Sequence, residues 1–325
     1  MSPQPKLRVA ICDDYQGVAL GMADWSRLGA DVELASFNRP LAGEEAVAAL
    51  RDFDVLCLMR ERMAVPRALL ARLPRLRFIA VTGSHAGVVD SAAAAEMGIG
   101  VALTDPAPSA SAAEHTWALV LALARNIVVE DRNMREGRWQ TTLGFRLQGR
   151  TLGLIGLGTL GSRVAAYGRA FDMDVIAWSA NLTAERAAAV GARLVGKDEL
   201  LAEADVISVQ LKLSDRSRGL VGAREFGLMK PSAVIVNTSR GPIIDEGAMI
   251  DALRAGRIAG AGLDVYDREP LPADHPLRSC PNTVLTPHIG FVTEQGYRDF
   301  YRRIIERILD WRAGNKYGAM DIRRT

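Results

Sequence analysis

Cysteine is scarce in this chain, and charge of either sign is nearly cancelled. Cys12, Cys57 and Cys280 are the only three cysteines in 325 residues. They are odd in number, far apart and form no Cys-x-x-Cys pair, which argues against a disulfide framework and suits a reducing compartment. Basic residues number 40 against 38 acidic, for a formal charge of +2, and neither sign forms a long block. No nucleic acid or other polyelectrolyte partner is implied. There is no uninterrupted apolar run of about twenty residues, so no membrane span is expected. The opening MSPQPKLRVAICDD has too short an apolar run for a signal peptide. No grouping of ligand residues suggests a metal. These absences lead to the expectation of a cytoplasmic protein.

What is present is apolar surface and a regular rhythm. Hydrophobic residues make up 49% of the chain, enough for sizeable cores, and the length exceeds what one core normally supports. Two domains follow. In the first, LRVAIC at 7–12, DVELASF at 31–37, DVLCLM at 54–59, LRFIAVT at 76–82 and GIGVALT at 98–104 read as strands, with helical stretches near 44–51, 65–72 and 90–97 between them. Such alternation predicts a parallel sheet covered by helices on both faces. A stiff crossing with Pro106 and Pro108 leads to a long helix over 113–135, with Ser109 or Ser111 as its cap. That helix is apolar over most of its circumference as far as residue 129, which predicts burial between two bodies of protein. His115, near its start, reads as a packed or capping histidine in preference to a catalytic one.

The second domain opens on RTLGLIGLGTLGSRVAAYGR at 150–169. An apolar strand leads into Gly156, Gly158 and Gly161 in the spacing GxGxxG, and the pattern then turns helical. Gly156 permits a tight turn, Gly158 leaves room for a pyrophosphate, and Gly161 allows close packing of the helix. The first helical residues, Thr159 and Leu160 with Gly161, offer backbone N–H groups to an anion. The next strand, DVIAW at 174–178, should end beside the adenosine ribose, where a carboxylate normally receives the 2′-hydroxyl and repels a 2′-phosphate. Here the chain reads Ser179, Ala180, Asn181. The choice between NAD and NADP therefore stays open with a tilt to NADP, which Ser179, Asn181 and Arg186 can accommodate. Further strands at 205–211, 233–237 and 260–264 alternate with helices near 184–190, 198–204, 222–229 and 245–255. LTPHIGF at 285–291 closes the domain, and a last helix spans roughly 293–312.

Three polar residues lie at strand ends beyond the nucleotide turn: Arg240 in NTSRGPIIDE, Glu269 in LDVYDREPLP and His288 in TPHIG. Hydride transfer to a 2-oxo acid needs a cation for the carboxylate, a proton donor for the carbonyl oxygen and a partner to hold the donor. Arginine offers a rigid fork to two carboxylate oxygens. Histidine titrates near neutrality, and an adjacent carboxylate favours its charged form and selects the nitrogen that faces the substrate. The bland alternative is a structural ion pair of Arg240 with Glu269 and a loop-capping His288. In the first domain, TGSHAGVVD at 82–90 lies at a strand end and reads either as an ordinary connection or as an anion-facing loop. Arg60, Glu61 and Arg62 read chiefly as a solvated strand end.

With these residues in place the chain resembles the D-isomer-specific 2-hydroxyacid dehydrogenases. The matching stretches are GLIGLGTLG at 153–161, LKLSDRSRGLVG at 211–222, MKPSAVIVNTSRGPIIDE at 229–246, AGLDVYDREPLPADHPL at 261–277 and LTPHIG at 285–290. The resemblance implies two flavodoxin- or Rossmann-like α/β domains with a cleft between them. The cofactor domain, residues 113–292, is inserted into a substrate domain of residues 1–112 and 293–325. It further implies that Arg240 binds the carboxylate, that His288 is the acid/base and that Glu269 is paired to it. Amides near Ser84, His85, Ala86 and Gly87 are expected to hold the substrate carboxylate, Leu211 to pass near the cofactor, and Thr238 and Asp264 to line the nicotinamide side. A homodimer built through the cofactor domain is implied as well. Glu269 in place of glutamine argues against a formate-type dehydrogenase, and the intact Arg240, Glu269 and His288 argue against an inactive dinucleotide-responsive regulator. Phe291 after HIG departs from many relatives and predicts a reshaped substrate pocket.

Overall fold

The computed structural model describes residues 6–83, 86–104 and 110–315. Contacts divide the chain into two compact units, residues 1–108 with 292–325, and residues 109–291. In the first unit β1 (Leu7–Ile11), β2 (Val32–Ser36), β3 (Val55–Leu58), β4 (Phe78–Val81) and β5 (Gly100–Leu103) form a five-stranded sheet in the order β2-β1-β3-β4-β5. All its pairings are parallel. Every residue of β3 and β4 is buried, as parallel strands covered on both faces require. Ala10, Leu56, Leu58, Ile79 and Val81 pack with Ala46, Leu50, Leu70 and Ala93 from the helices. The C-terminal helix Glu294–Arg312 belongs to this unit and buries Tyr297, Phe300, Tyr301, Ile304, Ile305 and Ile308. Trp311 stacks on Phe78 of β4 with ring centroids 5.1 Å apart.

The second unit is a seven-stranded sheet of β6 (Thr151–Ile155), β7 (Asp174–Trp178), β8 (Arg193–Leu194), β9 (Val206–Val209), β10 (Val234–Asn237), β11 (Gly260–Leu263) and β12 (Thr283–Leu285). Their order is β12-β11-β10-β9-β6-β7-β8, again with every pairing parallel. Alternate strand residues feed two cores. Leu152, Leu154, Val234 and Val236 face Trp117, Val120 and Val164, while Ile155, Ile207, Ile235 and Leu263 face Leu200, Phe226 and Leu253. Helices on both faces make this the doubly wound arrangement, and the strand order reverses between β6 and β9, where such sheets bind nucleotides.

The expected helix over 113–135 is two helices, Ser111–Ala124 and Ile127–Arg135. Asn126 breaks it at φ +52°, a left-handed conformation that asparagine tolerates better than most residues. Its amide also donates to the carbonyl of Leu143 at 3.1 Å. Ile127, Val128 and Val129 are exposed, contrary to the expected burial. Ser111 is the first helical residue and not the cap; Ala110 holds that place with no side-chain bond. Ser109 lies outside the described residues. Among the described residues no helix is long and apolar enough to cross a membrane, and no group of metal ligands occurs.

Candidate active site

The nucleotide turn follows β6 directly. Gly156 has φ +105°, and its N–H donates to the carbonyl of Trp178 at 2.8 Å. A Cβ there would lie 2.6 Å from the Gln210 carbonyl oxygen and 2.9 Å from Leu211 Cδ2, so the turn is pressed against the chain leaving β9. At Gly161 a Cβ would lie 2.5 Å from the Gly156 oxygen. Gly158 is different: nothing stands within 4 Å of its Cβ position. The backbone is open there, and the helix Thr159–Ala170 starts with no side-chain cap on its first N–H groups. Bare N–H groups beside an open glycine fit the pyrophosphate of a dinucleotide. After β7, Ser179 is half-buried and Ala180 and Asn181 are exposed, so the ribose side presents hydroxyl and amide groups without a carboxylate.

Three adjacent strands, β10, β11 and β12, deliver the remaining polar residues at their C-terminal ends. Asn237, the last residue of β10 and 1% exposed, accepts from Ser239 N at 3.0 Å and donates to the Arg240 carbonyl at 2.9 Å. This clamp shapes the loop of Thr238 and Arg240. The Arg240 guanidinium donates to the Ser239 carbonyl at 2.7 Å. Thr238 Oγ1 lies 2.7 Å from Thr116 Oγ1. In the sequence, a polar residue ending an apolar strand is the signal that marks Asn237.

Glu269 and His288 meet. His288 Nδ1 lies 2.6 Å from Glu269 Oε2, and the other carboxylate oxygen accepts from Tyr266 N at 2.9 Å. The glutamate is therefore held at both oxygens, and its contact selects the Nδ1–H tautomer of a neutral imidazole. His288 has φ +53°, a conformation that costs a residue with a Cβ about 1 kcal/mol. The Phe291 ring lies edge-on to it, 5.7 Å between centroids.

The loop that carries His288 is held by Asp264. This carboxylate is 1% exposed; Oδ1 accepts from Thr286 Oγ1 at 2.7 Å and Ile289 N at 2.8 Å, and Oδ2 accepts from Gly290 N at 2.8 Å. Burial pushes its pKa up, but the bonds from His115, Thr286 and Ile289 outweigh that and hold it below the ordinary carboxylate value. The Tyr266 hydroxyl bridges the carbonyls of Leu263 and Thr286 at 3.1 and 2.9 Å, and burial pushes its phenol up. Of the expected substrate loop, Ser84 and His85 lie outside the described residues. Ala86 is buried and Gly87 exposed in the first unit.

Residues 117–290 match the family of the D-isomer specific 2-hydroxyacid dehydrogenase, NAD binding domain. The chain is 39% identical over 275 residues to the glyoxylate reductase of Aeropyrum pernix, covering 82% of each. It is 36% identical over 276 residues to the D-3-phosphoglycerate dehydrogenase of Archaeoglobus fulgidus, covering 84% of this chain and 52% of the relative. The aligned part thus spans about half the length of the phosphoglycerate dehydrogenases it matches. The crystal structure of a phosphoglycerate oxidoreductase from Vibrio cholerae superposes with a TM-score of 0.90 at 33% identity, covering 95% of this chain and 99% of that one.

Proposed function

The chain belongs to the D-isomer-specific 2-hydroxyacid dehydrogenase family, and on that premise we propose that it interconverts a small D-2-hydroxy acid and its 2-oxo acid with NAD or NADP. The observation that supports this reading best is the 2.6 Å contact between His288 Nδ1 and Glu269 Oε2. With Nδ1 turned to the glutamate, Nε2 is the nitrogen left for the substrate oxygen. In reduction, protonated His288 gives a proton to the carbonyl oxygen; in oxidation, neutral His288 takes it from the hydroxyl. The bound dinucleotide supplies or receives the hydride at C2. Arg240 grips the substrate carboxylate. Residues 1–112 and 293–325 serve as the substrate domain in this reading, and residues 113–292 as the cofactor domain.

Gly156, Gly158, Thr159, Leu160 and Gly161 cradle the pyrophosphate, with Leu211 beside them. Thr238 and Asp264 line the nicotinamide side. Ser179 and Asn181 receive the ribose, without the like-charge repulsion that would turn away a 2′-phosphate. The test is a matrix of glyoxylate, hydroxypyruvate, pyruvate and bulkier 2-oxo acids against NADH and NADPH, run for the protein and for His288→Ala. Turnover should fall by about 1,000-fold or more in the variant with dinucleotide binding kept. Near-normal turnover of His288→Ala would overturn the assignment.

The exposed apolar side chains scattered between Ile127 and Leu143 support a homodimer. Trp139 is 71% and Leu143 97% exposed, an apolar display of the kind that marks an interface. Light scattering should return twice the chain mass, and a monomer at micromolar concentration would end this part of the reading.

A further inference from the structure

Two neighbouring residues of the helix Ser111–Ala124 reach the two loops that carry the proposed chemistry. His115 Nε2 lies 2.9 Å from Thr286 Oγ1 and 3.2 Å from Asp264 Oδ1. Thr116 Oγ1 lies 2.7 Å from Thr238 Oγ1. Counting protons fixes the directions. Thr286 has one hydroxyl proton, which Asp264 Oδ1 takes at 2.7 Å. Both oxygens facing His115 are then acceptors, so Nε2 carries a proton. Thr116 spends its own proton on the Ala112 carbonyl at 2.8 Å, so Thr238 is the donor in the threonine pair. Gln210 Nε2 supports this second contact, at 3.0 Å from Ser208 Oγ and 3.4 Å from each threonine oxygen.

The first contact is more than packing. Asp264, the acceptor of His115, also takes the N–H groups of Ile289 and Gly290, the two residues after His288. A Cβ on Gly290 would lie 3.0 Å from Asp264 Oδ2 and 3.6 Å from His115 Cδ2, so the loop is pressed onto this pair. A backbone held at φ +53° persists only where its surroundings over-determine it, and His115 completes those surroundings.

We propose that His115 and Thr116 are positioning residues, His115 for the proton-transferring His288 and Thr116 for the carboxylate-gripping Arg240. One turn of one helix then sets both loops, by separate bonds. This rests on the roles proposed above for His288 and Arg240.

The two bonds should fail in different kinetic parameters. With the best 2-oxo acid of the matrix, His115→Leu should lower kcat by about 10-fold or more and leave the KM for the oxo acid within about 3-fold. Thr116→Val should do the reverse, raising that KM by about 10-fold with kcat within about 3-fold. His115→Gln, which returns a donor near the Nε2 position, and Thr116→Ser, which returns the hydroxyl, should each recover most of the loss. Thermal melts and dinucleotide titrations of all four show that each is folded and binds cofactor. Both losses in one parameter, no loss at all, or no recovery in the conservative variants would overturn the proposal. Arg240→Ala and His288→Ala are measured beside them. Should these two fail to raise KM and to abolish turnover respectively, the underlying reading falls and this inference with it. Should they behave while the split is missing, the inference alone falls.

Discussion

Asp13 and Asp264 are equally buried, 1% exposed each, and each follows the C-terminal end of a parallel strand, β1 in the first unit and β11 in the second. Their surroundings differ in donors. Asp264 receives two backbone N–H groups and a hydroxyl, with a histidine N–H beside them. Asp13 sits at φ +57°, and its Oδ2 is buried with no hydrogen-bond partner. Its pKa is raised from the ordinary 3.8 to about 6, because burial outweighs the opposing Tyr15 hydroxyl and Arg62 guanidinium. Asp264 is held below the ordinary value. Burial alone therefore does not decide the charge of a carboxylate; the count and aim of the donors do.

The harshest way to test this contrast is to remove the carboxylate with more donors. Asp264→Ala leaves the N–H groups of Ile289 and Gly290 and the donors of Thr286 and His115 facing an empty site. Buried donors left unmade cost about 1–3 kcal/mol each, so a loss of about 4 kcal/mol in urea unfolding is expected after partial relaxation. Turnover should fall about 100-fold or more, because the His288 loop loses its anchor. The wild-type sign follows from linkage: a carboxylate whose folded pKa is lowered contributes stability above its unfolded value, and that contribution is lost as pH falls through the folded value. Acid unfolding of the variant should be flatter in that range. A variant as stable as wild type would show that the donors around Asp264 have other acceptors and would erase the contrast.

Asp13 should behave with the opposite sign. Its folded pKa is raised to about 6, so the folded state keeps a proton that the unfolded chain has released. Its cost to stability is absent below 3.8, grows as pH rises to about 6, and is constant above. Relative to wild type, Asp13→Asn should gain about 2 kcal/mol between pH 4.5 and pH 8. The pH trend is the observable, since any fixed cost of placing an amide there cancels from it. A difference that does not change with pH would mean that Asp13 titrates as an ordinary carboxyl and that its missing donor is supplied by solvent.

This contrast also separates what could be read from the residues from what could not. Gly156, Gly158, Gly161, Arg240, Glu269 and His288 announce themselves because each stands at a strand end in a short motif whose spacing carries its geometry. The strands do too, since a parallel sheet covered on both faces demands apolar runs. Nothing in the acidic stretch DDYQG at 13–17 marks Asp13 and Asp14 as buried, because burial is decided by what the rest of the chain lays over them. His115 looks like a packed residue because its acceptor Thr286 is 171 positions away. The break at Asn126 is hidden for a related reason: helical periodicity continues through it, and the Leu143 carbonyl that receives its side-chain amide lies 17 positions away. Local chemistry is legible in a sequence, whereas the donors that tune it come from distant segments.

The gentlest test lies next door to Asp13, within the same dipeptide. Asp14 is 2% exposed, yet its oxygens accept from Val18 N at 3.0 Å, Ala19 N at 3.1 Å and Ser36 Oγ at 2.7 Å. If donors rather than depth govern these carboxylates, losing one of three should matter little. Ser36 is exposed at the end of β2, so water can take the place of its hydroxyl in Ser36→Ala, and both backbone donors stay. The expected cost is about 0.5–1 kcal/mol, read from urea unfolding at pH 7. A loss beyond about 2 kcal/mol would mean that the backbone pair does not suffice and that Asp14 is one donor away from its neighbour's condition. A small loss instead places the two adjacent aspartates on opposite sides of one criterion, with Asp14 satisfied like Asp264 although it shares a turn with Asp13.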